Sequence, residues 1–327
     1  MTPSPAETYS SPLAERYASR AMVEIWSPRT RYGQWRRLWL ALAEGERALG
    51  VPIPNEAIEQ MRAHLDDIDF NAVAAYERRK RHDVMAHIDA FADVAPAARP
   101  FIHLGATSAY VTDNTDLILM RRGLELLRVK ALRVLQALGG FAREWRDEPT
   151  LGSTHLQPAQ PTTVGKRATL WMQDLVLDLG DIDYRIDTMP CRGVKGTTGT
   201  QASFLTLFDG DHERVRQLDQ YVARSIGFKT SIPVSGQTYT RKLDAQVLAA
   251  VAGVAASAAK FASDLRVLQA VGEIEEPFEE EQVGSSAMAY KRNPMRCERI
   301  NSLARFVLSL EPNANQTHSV QYFERTL

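Results

Sequence analysis

Three stretches of the chain carry apolar residues at alternating steps of three and four. The first runs Leu117, Met120, Leu124, Leu127, Ala131, Val134, Leu138; the second Trp171, Leu175, Leu179, Ile182, Ile186, Met189. The third runs Leu243, Val247, Ala250, Val254, Ala258, Phe261, Leu265, Leu268. That spacing is the seam of a helix packed lengthwise against others. At 1.5 Å per residue such helices reach about 30 to 45 Å, far beyond the average of about 11–12 residues, and they predict a bundle. A shorter helical region precedes them, roughly residues 14–98, with turns at VPIPN and APAARP. Between the long seams, GSTHLQPAQP, RGVKGTTGTQ and TSIPVSGQ are too rich in proline or glycine to continue a helix. No alternating strand pattern of any length is evident. The expected fold is all-α: a tail at 1–12 without order, a small helical domain at 13–111, and a long-helix bundle at 112–327.

Composition narrows the class. A formal net charge of -1 over 327 residues gives no electrostatic reason to bind nucleic acid or an anionic membrane. Two cysteines, Cys191 and Cys297, offer no disulfide framework and fit a reducing compartment. The start, MTPSPAETYSSP, lacks the basic and apolar segments of a secretory signal. The longest mostly apolar stretch, Val247 to Ala259, is broken by Gly253 and Ser257 and falls short of the ~20 residues of a spanning helix. The expectation is a cytoplasmic protein with no membrane partner. His82 and His87 stand five apart, about 140° around a helix, so they do not share a face as zinc ligands four apart do. No metal and no cofactor are expected.

The stretch GSSAMAYKRNP, Gly284 to Pro294, concentrates chemistry. Asn293-Pro294 has the composition of a helix start, Asn as cap and Pro at the first helical position. Lys291 and Arg292 then sit beside a helix N-terminus, which favours an anion. The acidic run before it, EIEEPFEEEQ, reads as a solvated loop. The serine pair itself fits either a segment that closes over a ligand or an ordinary linker before a capped helix.

SSAMAYKRNP resembles SSxMPxKxNP of the fumarase/aspartase superfamily, with Ala289 in place of the proline. RYAS, RHDVMAH, GATSAYVTDN, GSTHLQPAQPTTVGKR, KGTTGTQASF, SGQTYTRK and YKRNPMRCER together resemble the adenylosuccinate lyases. The resemblance implies a helical fold in which the bundle and a third helical domain continue past Leu327, and a homotetramer whose active sites are shared between subunits. It implies elimination of fumarate from a succinylated nucleotide, breaking a bond from carbon to a purine or imidazole-carboxamide nitrogen. It places Ser285 as the base at carbon, His155 as the acid to nitrogen, Glu298 as the carboxylate orienting His155 with Thr154 as a neighbour, and Lys291 and Asn293 at the reacting carboxylate. Arg81, His82, Asp83, Thr107, Ser108, Thr198, Gln201 and Gln237 match substrate-contacting positions. Arg16, Tyr17, Arg299 and Arg325 match the nucleotide side, where guanidinium forks suit phosphate.

A serine hydroxyl is a poor base unless its alkoxide is stabilised, whereas an imidazole titrates near neutrality and readily exchanges a proton. The rival role for Ser285, an acylated nucleophile, lacks a GxSxG elbow. Among rival functions stand other fumarate-releasing lyases of the superfamily, such as argininosuccinate lyase or fumarase, and a non-catalytic, truncated bundle.

Overall fold

A computed structural model describes residues 8–325. Residues 1–7, most of the expected tail, and Thr326 and Leu327 lie outside the described residues. The remainder forms two compact units, each treated by itself. Unit one comprises residues up to Gly123, Met189–Thr240 and the segment from Gln321; unit two comprises Leu124–Thr188 and Arg241–Val320.

Unit one opens with a single π-helical turn, Leu13–Tyr17, followed by α1 (Arg20–Ile25) and α2 (Pro28–Ala48). Ser27 caps α2 by accepting from the Thr30 N–H, with Pro28 at the first helical position. Helices α3 (Asn55–Ala63), α4 (Phe70–Lys80) and α5 (Asp83–Val94) pack around it. Trp35 and Trp39, one turn apart on α2, are almost wholly buried, and Trp39 stacks on Phe91 of α5. Helix α6 (Ser108–Glu144) contributes residues 108–123 to this unit. The short α8 (Ala202–Leu207) and α9 (His212–Ser225) complete it, with Asp211 capping α9.

Glu46 is an exception inside this core. It is fully buried, and neither carboxylate oxygen has a hydrogen-bond partner among the described residues. Burial pushes its pKa up to about 9. The folded chain therefore keeps a proton that the unfolded chain releases near its ordinary value of 4.5. Folding stability should fall with rising pH across that window, by up to ~1.4 kcal/mol per unit from this group, and level off above the folded value. Replacing Glu46 by Gln removes the slope. In thermal unfolding, Glu46→Gln should match the wild type near pH 4.5 and exceed it by about 2–4 kcal/mol near pH 7.5; equal gains at both pH values would refute the assignment.

Unit two is built on long helices: the rest of α6, α7 (Val164–Thr188), α10 (Lys242–Ala270) and α11 (Met295–Ser319). The three seams read from the sequence lie on α6, α7 and α10, except that Met189 stands just past the end of α7. Ala168, Trp171 and Leu268 form a core cluster, closed by Leu138, Phe141 and Phe261 among others. The Trp171 indole N–H donates to Asp264 at 2.7 Å, which fixes α7 against α10.

Two expectations need correction. Where the sequence shows no strand pattern, the chain forms an antiparallel hairpin, β1 (Pro149–Thr154) with β2 (Gln157–Thr163), carrying an irregularity between Leu151 and Ser153. Pro149, Pro158 and Pro161 are tolerated because both strands of a two-stranded sheet are edges. Second, α10 runs straight through Gly253 and Ser257, so by length and composition it is apolar enough to cross a membrane. Here α7 and α11 pack against it, and its Lys260 pairs with Asp174 of α7 at 2.5 Å.

Candidate active site

In unit one, the corner between α4 and α5 carries the RHD segment. Arg81 ends α4 in the left-handed region, φ 53°, its N–H bonded to Glu77 O. That turn delivers His82 to the N-cap of α5, where Nδ1 accepts from the Met85 N–H at 3.4 Å. An accepting Nδ1 leaves the proton on Nε2, which faces Ser108 Oγ at 3.4 Å. Asp83 follows directly as the first residue of α5.

Ser108 begins α6, and the preceding Thr107 is buried with its hydroxyl accepting from Gln237 Nε2 at 3.1 Å. Gln237 Oε1 in turn accepts from Arg325 Nη1 at 3.1 Å. The structure thus gathers Thr107, Ser108, His82, Gln237 and Arg325 at the N-terminal end of a long helix, where free N–H groups and the macrodipole favour anions. Thr198 is exposed, while Gln201 is half-buried and donates to Val194 O at 2.8 Å. The loop holding both touches the 235–237 segment at Gly199, φ 81°, where a Cβ would overlap the Ser235 carbonyl. Arg16 and Tyr17 lie on the exposed π-turn, the guanidinium 5.9 Å from the Tyr17 ring.

His103 was not among the sequence candidates. Its Nδ1 accepts from the Trp39 indole N–H at 2.9 Å, so its proton sits on Nε2. Burial pulls its pKa down to about 4, and nearby His82 acts in the same direction. The available signal was position: it stands four residues before Thr107, at the edge of a matched segment. His87 belongs instead to the core, stacked on Tyr32.

In unit two, His155 and Leu156 form the hairpin turn with φ 55° and 57°. Positive φ at both central residues is the type I′ pattern, usually Asn-Gly, and costs about 1–2 kcal/mol for each non-glycine residue. His155 is exposed, and among the described residues its imidazole has no hydrogen bond. Neighbouring Thr154 pairs with Gln157 across the turn. The base of the hairpin is tied to the end of α10: Thr150 Oγ1 and Arg167 Nη1 both donate to Glu273.

The serine loop is tied to the same end of α10. Gln269 Nε2 donates to Arg292 O at 2.9 Å. Ser285 Oγ accepts from the N–H groups of Ala287 and Met288, each at 3.3 Å. Asn293 Nδ2 donates to Gly284 O at 2.9 Å and closes the loop. Gly284 is required there, because any Cβ would overlap Lys291 O. Lys291 is exposed and has no ion pair among the described residues. Glu298 and Arg299 project from the first turns of α11, and Arg299 lines a cavity of about 590 Å³ with Glu279 to Val283. No hydrogen bond joins Glu298 to His155 within the described chain.

The expected cap is wrong. Helix α11 starts at Met295 with Pro294 as N-cap, and Asn293 makes no capping bond. The first N–H groups are taken instead by Glu276 from the acidic run, at 3.1 Å from Arg296 N and 2.6 Å from Cys297 N. The helix end read as an anion site is therefore filled by the protein's own carboxylate. Burial works to raise the Glu276 pKa, but the bonds from Cys297 and Arg296 outweigh it and hold it below its ordinary value. A depressed folded pKa gives stability that is fully present above the ordinary value of 4.5 and is lost as pH falls from there through the lower folded value. Glu276→Gln should lower stability by about 1 kcal/mol at pH 7, with the loss vanishing in acid. Urea unfolding at pH 7 and pH 4 checks it; a pH-independent difference would count against the cap.

Comparison with known proteins adds identity to this geometry. A sequence profile described as Lyase matches residues 16–309. Adenylosuccinate lyase of Schizosaccharomyces pombe is 54% identical over 323 residues, covering 98% of this chain and 67% of that relative. The chain belongs to the adenylosuccinate lyase family. The Saccharomyces cerevisiae enzyme of the same name is 53% identical over 98% of this chain, again 67% of its own length. In fold, the chain is similar to a 3-carboxy-cis,cis-muconate lactonizing enzyme from Pseudomonas putida. That match has a TM-score of 0.83 and 24% identity, covering 96% of this chain and 70% of the other. A fumarate lyase from Mesorhizobium sp. BNC1 gives a TM-score of 0.80 at 24% identity, covering 94% and 68%. The family's helical fold is thus present here, with the motifs divided between the RHD corner and α6 start in one unit and the hairpin and serine loop in the other.

Proposed function

We propose that the chain eliminates fumarate from adenylosuccinate to give AMP, and from the succinyl-aminoimidazole-carboxamide ribotide by the same chemistry. The observation that carries this is the 54% identity to a named adenylosuccinate lyase across 98% of the chain.

The reaction removes a proton from the carbon beside a carboxylate, pushes the electron pair into that carboxylate, then re-forms it as the new C=C bond while the C–N pair leaves with nitrogen. A base at carbon, an acid at nitrogen and fixed positive charge at the carboxylate are required. Ser285 is the base in this reading. The two N–H groups on its oxygen favour the alkoxide over the hydroxyl, and uncommitted Lys291 supplies a cation on the same loop. His155 is the acid, held outward on a strained turn. Glu298 orients it and Thr154 lies beside it.

The substrate's other groups fall to the remaining residues. Thr107, Ser108, His82 and Gln237 hold carboxylate and base edges at the start of α6, with Arg81, Asp83, Thr198 and Gln201 around them. Arg16, Tyr17, Arg299 and Arg325 take the phosphate side, and Asn293 keeps the serine loop closed. Two features favour a tetramer with shared sites. The hairpin from Ser153 to Pro161 is exposed, and His155 lies about 17 Å along it from the anchor at Thr150, at ~3.4 Å per residue. The long helices leave Leu132, Leu170, Leu177 and Phe306 exposed, apolar faces that a second copy covers.

Fumarate release tests the reading. Adenylosuccinate should be turned over, and argininosuccinate and malate should not; the reverse preference, or no release from any of them, would overturn it.

A further inference from the structure

Arg192 is fully buried, yet none of its bonds goes to a carboxylate. Nε donates to Gln237 O at 2.7 Å, Nη1 to Lys195 O at 2.9 Å and Nη2 to Gly196 O at 3.1 Å. A buried cation is costly to desolvate, and an apolar side chain of similar volume packs such a space without that cost. What an apolar side chain cannot do is deliver three donors in one rigid plane to two different segments. One segment is the loop that carries Thr198 and Gln201; the other carries Gln237.

The same two segments are rooted on α6, about one and a half to two turns past Thr107 and Ser108. Asn114 donates to Gly193 O at 3.2 Å and accepts from Gly193 N at 3.0 Å, while Asp113 accepts from Tyr239 N at 2.8 Å. From α9, Asp219 accepts from Val194 N and lies 3.6 Å from Lys195 Nζ. Beyond the fork the loops meet backbone to backbone at Gly199 and Ser235. The whole arrangement fixes three substrate-facing segments in one register, and the Arg192 guanidinium bonds to both loops.

We infer that Arg192 is a positioning residue for substrate binding, holding Gln237 in register with the 195–201 loop. This rests on the functional reading above. The proton-transferring residues His155 and Ser285 belong to other segments, so loss of the fork weakens binding of substrate and transition state alike and leaves the chemical step intact.

The test is steady-state fumarate release from adenylosuccinate by wild type, Arg192→Lys and Arg192→Ala, with thermal unfolding of each. Arg192→Lys should raise KM about 10–100-fold while kcat stays within about threefold. Millimolar guanidinium should restore KM in Arg192→Ala. A merely structural role gives a different pattern: a lower melting temperature, kcat reduced with the folded fraction, and an unchanged KM, and that result overturns the inference. If the Arg192 variants do not fold, Gly199→Ala separates the same two loops outside the buried core. It should raise KM alone; a wild-type KM there overturns the register claim. A wild type that neither binds nor converts adenylosuccinate overturns the functional reading itself, whereas an active wild type with variants at its KM removes only the role of Arg192.

Discussion

Ser285→Ala should retain adenylosuccinate binding and lose turnover by about 10²–10⁴-fold, the usual worth of a positioned acid or base. The reasoning is local. The hydroxyl is half-buried in a loop whose closure depends on Asn293 to Gly284 O and on Gly284 itself, not on Ser285. Removing the oxygen frees only the N–H groups of Ala287 and Met288, which reach water in an exposed segment. The variant should therefore melt within a few degrees of wild type. Single-turnover fumarate release separates chemistry from binding. Near-normal turnover with unchanged affinity would remove Ser285 as the base.

His155→Gln should cost a similar factor of about 10²–10⁴ in kcat, again with little effect on folding. Glutamine keeps a polar tip but cannot hand over a proton. The side chain makes no hydrogen bond within the described chain, so no internal contact is lost. The backbone consequence is testable separately. With φ 55° and 57° at residues 155 and 156, His155→Gly should relax the turn and stabilise the hairpin while abolishing acid catalysis. A glycine variant that is inactive and no less stable supports strain kept for function. One that is inactive and unfolded contradicts it.

What could be read from the sequence follows the range of the interactions. The seams on α6, α7 and α10 were legible because helical burial imposes a local period that needs no knowledge of partners. The hairpin was not. Pro158 and Pro161 mask strand character, and His155-Leu156 is not a residue pair that normally signals a type I′ turn. The Glu276 cap escaped for another reason: its carboxylate lies 21 residues before Cys297 inside an acidic run whose other glutamates are exposed. Asn293-Pro294 looked like a sufficient start, and a tertiary contact overrode it. The contact of Gln237 with Thr107 spans 130 residues and that with Arg325 spans 88, so no spacing rule reveals them. Resemblance named those residues, and the fold brings them into one chain of hydrogen bonds. The buried Glu46 and Arg192 carry no motif at all; only their surroundings distinguish them from surface charges.

Under the proposed function, base and acid come from different copies of the chain. Mixing Ser285→Ala with His155→Gln chains, after dissociation and reassembly, tests it most directly. Each parent should be nearly inactive, and the mixture should recover activity in about a quarter of its sites, as random assortment of a two-chain site requires. A mixture that forms hybrid oligomers yet stays as inactive as its parents would show that His155 and Ser285 do not meet across an interface, and the shared-site account would fall.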